Sequence, residues 1–282
     1  MRCAYSAGVL DRFLDDHVSF DYCIGVSAGS ANLASFLAGR RDRNRRFYTE
    51  HIRNPEYFGL PVWLKTGDLF NLDYIYSTLS NEGGGDPIGY ESMQANPTQY
   101  VITCTSAETG RAAYFDGHSM ERNDYSMIKA SCAMPAACRP RVVRGEKYYD
   151  GGVADSIPVR KAFEDGCERV VVLLSRGRDF VKEPEGERLA YHVLCRKYPN
   201  LVASLDRRHE NYNESRAEVF RREREGSCFV FAPSAETPIS TYTMDAEANQ
   251  ALYDLGVLDY NREREKLSRF LQGSCENREE KK

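Results

Sequence analysis

The chain has 282 residues, 41% of them apolar and 28% charged, with a formal net charge of −4. That length and balance allow one large domain with a well-buried core, exclude a disordered or collagen-like chain, and speak against a nucleic-acid binder, which needs a basic surface. No stretch reaches the roughly 18 apolar residues of a membrane-spanning helix, and Asp11, Asp15 and Asp16 interrupt the N-terminal region before a signal-peptide core can form, so a cytoplasmic protein is expected.

Residues 4–16 carry Val9, Leu10, Phe13 and Leu14 at helical spacing and predict a helix. Phe20 to Ile24 reads as a short strand, and Ala28 to Leu37 as a helix ending near Gly39. Beyond it Arg40, Arg41, Arg43, Arg45 and Arg46 form a cationic run, read either as a solvated face or as a contact for anionic lipid head groups. Aromatic residues from Tyr57 to Tyr76, broken by Pro and Gly, predict short helices and loops whose side chains either pack inward or wall an acyl-chain pocket or lid. Gly83–Gly85 reads as a flexible loop.

Strands are expected at Tyr100–Thr105 and Ala112–Phe115, and a helix around Tyr125–Cys132. A hairpin should pair Arg139–Val143 with Lys147–Tyr149 across Arg144-Gly145-Glu146, and Asp150-Gly151-Gly152 should end its second strand. Val159–Asp165 reads as a helix and Arg169–Leu174 as a buried strand. The last third predicts helices at about Glu187–Glu225 and Ala246–Leu271, a strand at Cys228–Ala232, and a polar tail over Glu276–Lys282. Alternating strands and helices argue for an α/β fold with a mainly parallel central sheet flanked by helices. Without repeats or linkers, one domain over 1–282 is expected, with a core at about 1–175 and a helical portion at about 186–273. The nine cysteines form no C-x-x-C pair and no metal-ligand spacing, which suggests reduced thiols.

Gly25-Val26-Ser27-Ala28-Gly29 matches G-x-S-x-G between a predicted strand and a predicted helix, the setting of a nucleophile elbow. At such a turn the serine is presented at a helix N-terminus, where the amide of Ala28 and the helix dipole stabilise a developing oxyanion. Serine needs a base. One option is a Ser-Asp-His triad with Asp150 and either His192 or His209; the other is a dyad in which Asp150, followed by two glycines, takes the proton itself.

The residues around these two motifs carry a resemblance. Met1-Arg2-Cys3-Ala4-Tyr5-Ser6-Ala7-Gly8-Val9-Leu10-Asp11, Phe20 to Asn32, and Tyr148-Tyr149-Asp150-Gly151-Gly152-Val153 with Asp155, Ile157 and Pro158 resemble the bacterial-type, single-domain patatin-like phospholipases. Arg196-Lys197-Tyr198-Pro199 and Arg208-His209-Glu210 extend the resemblance towards the tail. It implies a patatin-like fold, Ser27 as nucleophile, Asp150 as sole general base, no metal or cofactor, and hydrolysis of acyl esters of phospholipids, lysolipids or other acylglycerols, with peripheral membrane contact at the substrate. The family's first strand and the three glycines of its G-G-G-x-R-G loop, which supply oxyanion amides, are expected to be missing from this sequence, as if its recorded start lay downstream of the true one. Met1-Arg2-Cys3 corresponds to the end of that loop, with Cys3 in place of its last glycine. Gly25, Ala28, Gly29, Gly151 and Gly152 complete the expected motif residues. A different class of reading is a catalytically impaired lipid- or protein-binding relative.

Overall fold

Nine of the twelve residues of the first helix are buried, and the last helix packs against it along Tyr5, Gly8 and Val9. The computed structural model describes residues 1–186, 188–235 and 239–279. In chain order the elements are α1 (Ala4–Asp15), β1 (Tyr22–Val26), α2 (Ala28–Leu37), α3 (Arg43–Thr49), α4 (Leu60–Thr66), α5 (Tyr90–Ala95), β2 (Gln99–Ser106), β3 (Ala112–Asp116), α6 (Ser126–Ser131), β4 (Arg141–Val143), β5 (Glu146–Asp150), α7 (Val159–Glu164), β6 (Val170–Leu173), α8 (Arg188–Leu194), α9 (Pro199–Asp206), α10 (Arg208–Arg224), β7 (Cys228–Phe231) and α11 (Ala246–Glu279).

The α/β architecture and its helix-flanked sheet agree with the expectation, but the sheet is mixed rather than mainly parallel. Parallel pairing holds for β1 with β2 and for β6 with β7. The other pairings are antiparallel, and short connections account for two of them. Arg144 and Gly145, with φ of 50° and 83°, close the two-residue turn between β4 and β5, a geometry that only an antiparallel pair accepts. β3 folds back on β2 for the same reason. β1 lies two residues later than expected, since its pairing with β2, and not the apolar run at Phe20, sets the strand.

The charged helical stretch after residue 187 is divided into α8, α9 and α10. Pro199 opens α9, where its missing N–H costs nothing, and so ends the preceding segment. Of the predicted polar tail, residues through Glu279 continue α11, and 280–282 lie outside the described residues. The described cysteines are free thiols, with Cys23 and Cys104 buried as small core residues.

α1 and α11 cross at two glycines. A Cβ on Gly8 would stand 2.2 Å from the Tyr253 carbonyl oxygen, and one on Gly256 would stand 2.2 Å from that of Tyr5. The close approach lets Tyr253 donate to Asp11 at 2.8 Å and Tyr5 to Asp259 at 3.1 Å, both buried. Gly8→Ala is therefore expected to cost about 1–3 kcal/mol through overpacking, read as a lower Tm; a variant that melts with the wild type would contradict this crossing.

Most of the arginine run is engaged within the fold, although Arg40 and Arg41 stay exposed. Arg43 is buried and donates to the Asp86 carbonyl, Ser35 and Ser80 at 2.9, 2.9 and 2.7 Å. Arg46 grips the Asp86 carboxylate at 2.8 and 3.0 Å, while Arg41 pairs with Asp15 and Asp42, and Arg45 with Asp42. These charges are spent within the fold.

Candidate active site

The register of one strand brings the two motifs together. Val26, the last residue of β1, pairs with Thr103 of β2, and Asp150, the last residue of β5, pairs with the next residue, Cys104. β3 occupies the other edge of β2 over Val101–Thr105, so β1 and β5 must share the first edge and end head to head there. Ser27 and Asp150 thus meet although 123 positions separate them.

Ser27 Oγ donates to Asp150 Oδ2 at 2.5 Å. The serine has φ 54° and ψ −131°, a strained backbone for a residue with a Cβ, and it immediately precedes α2. The turn is held from three sides. Ser27 N–H donates to Ser131 Oγ at 2.8 Å, Ser131 Oγ donates to the Thr103 carbonyl at 2.7 Å, and Ser30 returns a hydrogen bond from Oγ to the Ser27 carbonyl at 2.6 Å. Sequence reasoning missed Ser131, which sits in an ordinary helical stretch with no local signal of its role.

The motif glycines have different jobs. A Cβ on Gly25 would come within 2.6 Å of Ser30 Cα, so Gly25 lets the helix fold back on the strand, whereas one on Gly29 meets nothing and Gly29 keeps space open. Gly151 passes against the Thr103 carbonyl, where a Cβ would sit at 2.2 Å. Gly152 N–H donates to Asp150 Oδ1 at 2.8 Å. The first-turn amides of Ala28 and Gly29 have no partner in the helical ladder and stand beside Ser27.

Asp150 is buried, 5% exposed, and burial pushes its carboxyl above the usual value. The hydrogen bond from Ser27, the charge of Arg208 and the Gly152 amide pull the other way without cancelling that effect. The two histidines considered as a third member lie elsewhere. His192 Nε2 sits 2.9 Å from Asp206 on the helical side, and neither His192 nor His209 lines the cavity that holds Ser27.

That cavity has a volume of about 430 Å³. Met1, Arg2, Cys3, Gly25, Ala28, Gly29 and Gly152 line it together with Ser27 and Asp150, while Gly151 lies behind the wall. Every residue of β1 and of β6 also borders it. Among the described strands β1 pairs with β2 and β6 with β7, so each turns a free edge to the cavity. The aromatic segment divides between both of its readings. Tyr57, Phe70 and Tyr76 are buried and also wall the cavity, whereas Trp63 is exposed on α4. Such an arrangement can activate a serine against an ester whose apolar chain fills the cavity.

The model of the patatin-like phospholipase family matches residues 1–163. A domain of unknown function, DUF6363, matches residues 198–272. The uncharacterized protein YjjU of Escherichia coli strain K12 is 26% identical over 178 residues, which cover 61% of this chain and 48% of that protein. The chain therefore spans about half the length of this curated relative.

Proposed function

The chain belongs to the patatin-like phospholipase family, and from that premise we propose that it cleaves carboxylic esters of phospholipids or other acylglycerols through a Ser27–Asp150 dyad. The observation that carries the reading is the 2.5 Å hydrogen bond from Ser27 Oγ to the buried Asp150 carboxylate, with no histidine bordering their cavity among the described residues. Asp150 takes the Ser27 proton as Oγ attacks the ester carbonyl, and the oxyanion is received by the Ala28 and Gly29 amides at the positive end of α2. The tetrahedral intermediate collapses, the alcohol leaves with the proton from Asp150, and acyl-Ser27 remains. Water, deprotonated by Asp150, then releases the fatty acid and restores the hydroxyl. A raised pKa makes Asp150 a stronger base than an ordinary carboxylate.

This reading places the enzyme among phospholipase A or lysophospholipase types in the cytoplasm, touching membranes peripherally. Leu60, Trp63 and Leu64, exposed on α4, offer an apolar face for that contact. Among the described residues no helix is long and apolar enough to cross a membrane. The test is release of free fatty acid from phospholipid and acylglycerol substrates by the purified chain; release from neither overturns the proposal.

Alanine at His192 or His209 is expected to leave ester hydrolysis within about twofold of wild type, as for a surface substitution. A loss on the order of 100-fold at either would reinstate a triad.

A second reading, binding without turnover, rests on Cys3 standing where the family loop has its last glycine. Its test is lipid binding by the purified chain in the absence of fatty-acid release.

A further inference from the structure

Ser27 and Asp150 both lie within residues 1–163, the part that matches the family, but a contact reaches them from residues 198–272, which match a domain of unknown function. Arg208 Nε donates to the Gly152 carbonyl at 2.6 Å, and Gly152 N–H donates to Asp150 Oδ1 at 2.8 Å. Arg208 therefore grips the residue whose amide holds one carboxylate oxygen, while the other, Oδ2, takes the hydrogen bond from Ser27. Ser156 Oγ donates to the same Gly152 carbonyl at 2.6 Å, so the turn is held from two sides. Arg208 Nη1 pairs with Glu185 at 2.9 Å, and Glu185 also pairs with Lys182 at 2.8 Å.

Local helix energetics do not explain this arginine. Arg208 is the first residue of α10, where the helix dipole disfavours a cation. Its position is set instead by the docking of α9 on the core. Asn200 donates to the Glu108 carbonyl at 2.9 Å, Ser204 donates to the Gly110 carbonyl at 2.8 Å, and the Tyr149 and Tyr198 rings meet edge to face with centres 6.1 Å apart. From the end of α9 the Arg208 side chain reaches the Asp150 turn. Cys3, Cys104 and Cys132 also stand near enough to feel the Asp150 charge, but burial raises all three thiols and keeps them neutral. Arg208 supplies the opposing charge. Around Arg208 itself stand Glu185, Lys182, Arg2 and Tyr212.

We propose that Arg208 is a positioning residue for the dyad, through which the C-terminal helical segment holds the Asp150 turn and sets a positive charge beside the carboxylate that faces Ser27. The proposal rests on the reading of Ser27 and Asp150 as that dyad. Its chemistry has two parts. The hydrogen bond to Gly152 fixes the turn, so that Oδ1 stays on the Gly152 amide and Oδ2 stays on the serine. The charge opposes burial, which favours the neutral acid, and a neutral Asp150 cannot take the Ser27 proton.

The test titrates the Asp150 carboxyl in the full chain by NMR of carboxyl-labelled aspartate, its signal assigned by its loss in Asp150→Asn, so it needs no turnover. Arg208→Gln is expected to move the midpoint to higher pH, because the carboxylate loses its nearby cation. Arg208→Lys keeps the charge and should titrate near wild type, yet it lacks the Nε bond to Gly152 and should slow fluorophosphonate labelling of Ser27 about tenfold, the effect of one charge-assisted hydrogen bond. Glu185→Gln leaves Arg208 in place with less counter-charge and should move the midpoint to lower pH, which keeps the charge effect measurable even if Arg208→Gln does not fold. A midpoint that neither Arg208→Gln nor Glu185→Gln moves overturns the proposal, as does labelling at the wild-type rate in both Arg208 variants. Wild-type chain that takes no label would sink the dyad reading, while the titration still reads the action of Arg208 on Asp150.

Discussion

Substituting Ser27 by alanine is expected to lower ester hydrolysis on the order of 10⁴-fold or more, because the acyl-enzyme route disappears with the hydroxyl. The loss should fall on kcat, with KM for a lipid ester little changed, since the cavity walls are untouched. Ser27→Gly should be equally inactive and yet melt higher. The residue sits at φ 54° and ψ −131°, a conformation that costs a side-chain-bearing residue about 1–3 kcal/mol and that glycine adopts freely. A Ser27→Gly chain that is both inactive and less stable than wild type would mean that the turn is not strained by its serine.

Asp150→Asn should lower kcat by about 10⁴-fold, the scale seen when the carboxylate that organises a serine nucleophile becomes an amide. The wild-type pH profile carries the complementary signature. Burial raises the Asp150 pKa, and catalysis requires the deprotonated form, so activity should rise with pH through a value above the ordinary carboxylate range. Stability has the opposite sign. The folded chain holds this proton more tightly than the unfolded chain, so the group's contribution is fully present below the unfolded pKa and is lost as pH rises through the folded one. At neutral pH the buried charge weakens the fold, and Asp150→Asn should melt at or above the wild-type temperature. An inactive variant that is also markedly destabilised would remove the argument that Asp150 acts on the chemistry.

Those two residues were legible because each lies in a motif that its own neighbours explain. G-x-S-x-G needs a strand before it and a helix after it, and β1 and α2 supply them. Asp150 ends a hairpin whose turn residues are visible in the chain. The uninterrupted Val170–Leu173 run and the helical spacing of α1 were equally local. What escaped depends on pairing between distant segments. The start of β1 follows its partner β2, and the mixed sheet follows hairpin geometry that alternation of elements does not encode. Ser131 reaches the Ser27 amide only because α6 packs beneath the turn. Arg176 and Arg208 lie far beyond both motifs, in charged stretches that look like solvent-facing surface, yet they border the cavity. The arginine run at positions 40–46 erred in the other direction: it looked available, but Asp15, Asp42 and Asp86 consume most of it.

The most direct measurement is covalent labelling of the purified full chain with a fluorophosphonate, with the adduct located by mass spectrometry, since the probe reports an activated serine whatever the lipid. The dyad predicts one adduct, on Ser27, that Asp150→Asn suppresses while His192→Ala and His209→Ala do not. A label on another serine, or one on Ser27 that persists undiminished in Asp150→Asn, would contradict it.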